Sequence, residues 1–329
     1  MQSMIKNGSM AAKIRAKSGK LLSDNDFKTL AECTSIEDIA AYLKKTEGYG
    51  PFIETAGGFW RDKLEENIYF SLINDYESFY LFSNAENKKF LNLYFLKREI
   101  WIIKSLIYSI LNSDTPSIES LPEKHRSFDT SEAQKCKSLS DLKYLLENTR
   151  YGGIIDESKT IFENETALDK YYFDCMFKAV ESTKGEDKRA AEELIGSETD
   201  ATNILWIVRA KEFYGMSPEK IRESVLPFSY KLSKYMREKM TDAANAGEVI
   251  GMTENTAYKE LFAGGAKSNA LSSYLLRLNY KILKKYPFSS VAALAFLHIK
   301  RFEIQNITSV IECVRYKINP EEIKNHLVK

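Results

Sequence analysis

Proline is scarce in this chain, at seven in 329 residues, and glycine numbers only 15. These residues supply kinks and left-handed turns, so their scarcity excludes collagen-like, linker-rich and loop-dominated architectures. Continuous runs of β-branched residues with polar alternation are not evident, so the pattern that announces strands is missing. Only four cysteines occur, Cys33, Cys136, Cys175 and Cys313. They lie far apart and form no Cys-x-x-Cys pair, which supports neither a zinc site nor a disulfide framework; reduced, buried thiols are expected. The three histidines, His125, His298 and His326, are scattered, and their spacing gives no support to a metal site. Apolar runs of membrane-spanning length are lacking too. Residues 291–299 are too few and include His298, and residues 100–110 are interrupted by Lys104. The first ten residues have no apolar core of a signal peptide. A protein without a membrane span is expected, in the cytoplasm or peripheral at the cytoplasmic face of a membrane. Finally, charge of one sign is not in excess: Lys plus Arg is 47 and Asp plus Glu is 46. Bulk electrostatic attraction to nucleic acid is thereby excluded.

What is present is helical periodicity and a heavy aromatic content of 12%. Ile304, Ile307, Ile311, Val314 and Ile318 make one helix stripe. The stripe stops at Asn319-Pro320-Glu321-Glu322, where Asn319 can cap a new helix and Pro320 suits its first position. The same stop recurs. Pro116, Pro218 and Pro320 are spaced by 102 residues each, and each follows a capping residue. Upstream, Glu303-x-x-Asn306-Ile307 answers Asp200-x-x-Asn203-Ile204, and Arg98-x-x-Trp101-Ile102 takes that place in the first copy, with the polar pair lost.

A second feature repeats. Ser35 and Ser138 each open a short helix, and Thr46 and Thr149 each close one ahead of Tyr49 and Tyr151. A more worn third copy has Thr256 and Tyr258. A helix-terminal hydrogen bond from each Thr and a packed Tyr ring are the expected roles. Longer helices fall at residues 65–80, 167–180 and 271–285, residues 185–196 read as charged but helical, and residues 113–126 and 243–251 read as open connections. A period near a hundred residues is longer than solenoid units of about 20–50 residues. The expectation is an all-α fold of three similar helical domains, 1–127, 128–233 and 234–329, in a pseudo-threefold body around a hollow.

The basic start (Ala12-Lys13-Ile14-Arg15-Ala16-Lys17), the Thr-x-Tyr endings, and the helices headed by Asp200/Asn203 and Glu303/Asn306 resemble the C subunit of the bacterial and archaeal V/A-type ATPases. The eukaryotic relative is the d subunit of the vacuolar ATPase. The resemblance runs from about residue 11 to 327. It implies a funnel of three similar domains that acts as a rotor part between the central shaft subunits and the membrane proteolipid ring. It also implies no catalysis, no metal and no cofactor, and it identifies no interface residue.

The remaining motifs carry bland readings. Gly264-Gly265-Ala266-Lys267-Ser268 departs from a phosphate loop at Ala266 and Leu261, and reads as an inter-helix loop. Glu65-Glu66, Glu192-Glu193 and Glu321-Glu322 are adjacent on helices and point apart, so solvated surface or capping is expected rather than acid–base dyads. Lys13, Arg15, Lys17 and Lys20 read as a solvated face. Phe59, Trp60, Tyr94 and Trp101 read as core. No nucleic acid and no small-molecule substrate are expected as partners. The competing reading is a soluble all-helical enzyme or scaffold with an unrecognised site.

Overall fold

The computed structural model describes residues 2–53, 61–112, 121–262 and 269–329, and the described residues are helical throughout, with no strand. Pro116 and the loop at 264–268 lie outside them, as do Phe59 and Trp60. The chain opens with α1 (Gln2–Ser18) and a pair of short helices, α2 (Asp24–Ala31) and α3 (Ile36–Lys44). A long hairpin follows, α4 (Arg61–Leu81) and α5 (Ala85–Asn112). Then come the short α6 (Thr130–Ala133) and α7 (Leu139–Leu146), and a second hairpin of α8 (Ile161–Glu181) with α9 (Gly185–Ala191) and α10 (Ser197–Glu212). Next are α11 (Pro218–Ser224), α12 (Lys234–Asp242) and α13 (Ala246–Thr253). The third hairpin, α14 (Ala270–Lys285) and α15 (Ala292–Arg315), leads to α16 (Pro320–His326). Most of the segment 243–251, expected to be open, is helical: α13 starts at Ala246, where Asn245 caps it, accepting from the Glu248 N–H at 3.0 Å.

Local chemistry sets these boundaries. Ser23 with Asp26, Ser138 with Asp141 and Thr160 with Glu163 form reciprocal capping boxes at α2, α7 and α8. Ser217 and Asn319 cap α11 and α16, each ahead of a proline at the first helical position. Between α9 and α10 the rod continues through a π-helical turn, Glu192–Gly196. Gly196 is required there, because a Cβ would lie 2.6 Å from the Tyr230 Cβ.

The hairpins pack in cyclic order: α5 lies against α8, α10 against α14, and α15 back against α4. The α15 helix begins at Ala292, twelve residues before the stripe that starts at Ile304. Its first turns, from Ala292 to Lys300, are buried on every side. A helix apolar all round has no stripe to read, and it belongs at the centre of a body. Each fully buried Leu or Ile there contributes about 1.5–3 kcal/mol. One hydrophobic core extends through most of the chain, and a second gathers α10 to α13 around Ile204, Ile207, Met240, Val249 and Tyr258. Helix α1 docks by Asn7, Met10 and Ile14. The Asn7 amide donates to the Phe288 carbonyl at 2.8 Å and its oxygen accepts from Asn84. Of the basic residues read as solvated, Lys17 pairs with Asp75, and Lys13 sits 3.7 Å over the Phe82 ring.

Candidate functional site

Three buried carboxylates on the three long helices are held in the same way. On α15, Glu303 accepts from the Tyr49 hydroxyl at 2.5 Å, the Leu22 N–H at 2.6 Å and the Lys300 ammonium at 2.8 Å. On α5, Glu99 accepts from the Tyr151 hydroxyl at 2.6 Å, from the Ser127 hydroxyl and N–H, and faces Arg150 at 3.2 Å. On α10, Asp200 accepts from the Tyr258 hydroxyl at 2.5 Å and from the N–H groups of Tyr230, Lys231 and Leu232. Burial pushes the Asp200 carboxyl above its usual range, against the pull of these donors. Each cluster thus joins a long helix to both ends of a two-helix unit: the tyrosine follows it and the N–H groups precede it. Sequence reading placed Arg98 at the head of the first copy, but the equivalent carboxylate is Glu99, one residue later. Acids at 99, 200 and 303 were the available signal.

The threonines sit beside these tyrosines. Thr46, Thr149 and Thr256 donate their hydroxyls to the carbonyls of Leu43, Leu146 and Thr253 at 2.7–2.8 Å. Thr149 and Thr256 also accept from the N–H groups of Tyr151 and Tyr258 at 3.1 Å. Asn203 and Asn306 each clamp one extended residue by both amide atoms. Asn203 holds the N–H and carbonyl of Leu226 at 2.8 and 3.1 Å, and Asn306 those of Val328 at 2.7 and 3.0 Å. Ile102 is the apolar counterpart on α5, fully buried. Pro218 and Pro320 start the helices that lead into the clamped residues.

Between the long helices lies a cavity of about 430 Å³, to which α5, α8, α10, α14 and α15 all contribute. Among the described residues its polar lining includes Lys97, Arg98, Lys104 and Arg301 together with Asp169 and Glu198. Lys97 pairs with Glu198 and Lys104 with Asp169, both at 2.5 Å. Burial, with Arg301 next, pulls the Arg98 guanidinium down to about 10. Burial, reinforced by Lys97, brings His298 down to about 4, so it is neutral near pH 7. His298 Nε2 and the Tyr94 hydroxyl line this space, buried and without a hydrogen-bond partner among the described residues. Trp101, read as core, is 45% exposed here, with the Arg98 guanidinium 4.9 Å from its ring centre. A second cavity, about 470 Å³, lies between α2, α14, α15 and the final residues, beside Glu303 and Asn306.

His125 stacks on Phe95 with centroids 4.7 Å apart and contacts Glu77 at 2.7 Å. Another expectation needs correction. Glu193, read as solvated, is buried and meets Lys281 and Lys285 at 2.7 Å each. Burial works against its charge, but the two lysines hold its carboxyl down at about 2. The cysteines are free and half-buried.

No group of three His, Cys, Asp or Glu side chains suited to a metal ion occurs among the described residues, nor does a helix long and apolar enough to cross a membrane. What the geometry offers is a closely packed helical body with a central cavity lined by aromatic and charged side chains. The C subunit of the A-type ATP synthase of Pyrococcus abyssi is 26% identical over 330 residues, covering 95% of this chain and 88% of that protein. The same subunit of Methanosphaera stadtmanae is 25% identical, covering 96% and 86%. That of Methanocaldococcus jannaschii is 25% identical, covering 96% and 85%. The model of the ATP synthase (C/AC39) subunit family matches residues 10–326, and with that match over nearly its whole length the chain belongs to this family.

Proposed function

We propose that this chain is the non-catalytic central-stalk subunit of a V/A-type rotary ATPase: a socket adaptor that joins the central shaft to the membrane proteolipid ring and transmits torque between them. Its relatives are named as subunits of the A-type ATP synthase, and its family is one of ATP synthase subunits. The observation that supports the adaptor role best is the cyclic packing of α5 on α8, α10 on α14 and α15 on α4, around a cavity shared by all three long helices. Three similar units closed into a pseudo-threefold funnel would pack in this order. In that reading each unit starts at a long helix and ends at the following tyrosine, so it straddles the boundaries 1–127, 128–233 and 234–329 of the sequence period. The third unit takes its long helix from the end of the chain and its tyrosine from the beginning.

A torque adaptor must be stiff and must grip two unlike partners. Close-packed helices transmit strain with little compression. The cavity receives part of the shaft, and the rim around it completes a grip that needs about 1,200–2,000 Å² of buried surface. The opposite end of the body meets the ring, with the protein peripheral at the cytoplasmic face of the membrane. The test is a purified ATPase complex assembled without this chain. Hydrolysis that continues without ion transport supports the adaptor; undiminished coupling removes it.

A further inference from the structure

Each two-helix unit ends in a turn that brings a threonine and a tyrosine to a buried carboxylate. Beside two of these turns the chain leaves a cavity, and the two cavities occupy the same place in the repeat. One, of about 320 Å³, is lined by Glu47 and Gly48 of the Thr46–Tyr49 turn, by Asp75 of α4 and by Lys300, three residues before Glu303. The other, of about 370 Å³, is lined by Ala257 of the Thr256–Tyr258 turn, by α14 and by Ser197, three residues before Asp200.

Their charges differ. In the first cavity every lysine on the lining has a carboxylate: Lys17 pairs with Asp75, Lys20 with Glu47 at 3.6 Å, and Lys300 with Glu303 at 2.8 Å. In the second, Ala257 stands where the first turn has Glu47, and Ser197 stands where the first has Lys300. Its cationic side chains are Lys231, Lys259, Arg277 and Lys281, and the one carboxylate among the described lining residues is Glu260. Lys281 shares Glu193 with Lys285, and Arg277 donates to the Lys329 carbonyl at 3.2 Å. Lys231 and Lys259 pair with no carboxylate among the described residues, Glu260 included; Lys231 has only the Tyr230 ring, 5.6 Å away.

We infer that this second cavity binds an anion carrying two or more phosphoryl groups, held by the ammonium groups of Lys231, Lys259 and Lys281. Like charges around one space repel, and an anion between them removes that repulsion. Lysine ammoniums act as point charges that suit phosphoryl oxygens, whereas planar carboxylates favour the forked guanidinium. Arg277, the one guanidinium among the described lining residues, is already engaged. The volume lies at the small end of small-molecule sites, which run about 300–1,000 Å³, so a short run of phosphoryl groups fits and a polypeptide segment does not. Soluble polyphosphates and phosphorylated lipid headgroups share this chemistry. The inference stands apart from the adaptor role and concerns the chain by itself.

The test is calorimetric titration of the full chain. The probes are inorganic tripolyphosphate, phosphatidylcholine vesicles with and without phosphatidylinositol bisphosphate, and a hexaglutamate peptide. Tripolyphosphate is expected to bind saturably, one per chain, and to weaken about tenfold or more between low and moderately high salt. Lys231→Ala and Lys259→Ala each weaken it about fivefold, the loss of one ammonium–phosphoryl contact at the surface. Lys20→Ala, in the self-neutralised first cavity, leaves it unchanged. Both lysines are exposed, and thermal melts matching the parent show that the variants fold. Tighter binding of the phosphoinositide vesicles than of tripolyphosphate assigns the site to a lipid headgroup; weaker binding assigns it to a soluble polyphosphate. Three results overturn the inference: no saturable binding of either phosphate probe, hexaglutamate binding as tightly as tripolyphosphate, or equal losses from Lys20→Ala and Lys259→Ala. None of them touches the adaptor role, which fails only if coupling survives omission of the whole chain.

Discussion

The Tyr49 hydroxyl donates to Glu303 Oε1 at 2.5 Å, across 254 residues of sequence. This bond ties the turn after α3 to the last long helix, so the two ends of the chain complete one buried cluster. Lys300 strengthens it, pairing with Glu303 and lying 3.7 Å over the Tyr49 ring.

Tyr49→Phe removes one donor from a buried carboxylate and should destabilise the protein by about 1–3 kcal/mol. Tyr151→Phe and Tyr258→Phe remove the matching donors of Glu99 and Asp200 and should cost similar amounts. Urea unfolding of the three variants checks this. A negligible cost for Tyr49→Phe beside large costs for the others means that the chain ends do not close the body.

Two glycines should respond in opposite directions. A Cβ at Gly152 overlaps the backbone carbonyl of Glu147, which cannot swing away as a flexible side chain would. Gly152→Ala should therefore cost about 1–3 kcal/mol by overpacking. Gly251, inside α13, meets nothing within 4 Å of an added Cβ. Gly251→Ala should stabilise by roughly 0.5–1 kcal/mol through higher helix propensity and a less flexible unfolded chain. Thermal melts of the pair read both signs.

Stability should depend on pH through His298. Its folded value is about 4, against 6.5 for the free side chain. The unfolded chain then binds the proton first, so stability falls as pH drops from about 6.5 through 4, by up to roughly 3 kcal/mol at the bottom of that window. The groups facing it are Lys97 on α5 and Glu198 on α10. Denaturation of His298→Gln between pH 7 and 4.5 should show a flatter acid limb than the parent; an unchanged limb contradicts the buried neutral imidazole.

Glu193 titrates with the other sign of charge. Its carboxyl, held at about 2 by Lys281 and Lys285 despite burial, contributes stability that is complete above about 4.5 and lost as pH falls toward 2. The lysines are about half exposed, so solvent screens the pair. Glu193→Gln should loosen α14 from the π-turn by about 1 kcal/mol at neutral pH, and double-mutant cycles with Lys285→Met measure the coupling.

The sequence revealed whatever depends on near neighbours. Caps at Ser35, Ser138, Ser217 and Asn319, the helix ends at Thr46, Thr149 and Thr256, and the all-helical character follow from local pattern. Features set by distant contacts were not legible. Glu99 looks like any helix glutamate until Tyr151 and Ser127 are brought to it. The start of α15 is apolar on every side, so periodicity could not locate its first turn. Glu193 was misread as solvated because its partners, Lys281 and Lys285, sit far away in sequence. The cavity draws on five helices spread over most of the chain, and no single stretch announces it.

The most direct measurement is simultaneous ATP hydrolysis and ion transport by the complex in vesicles, with and without this chain. The adaptor role predicts that removing the chain leaves hydrolysis running while transport stops, and that adding it back restores transport. Transport that stays coupled to hydrolysis in its absence would contradict that role.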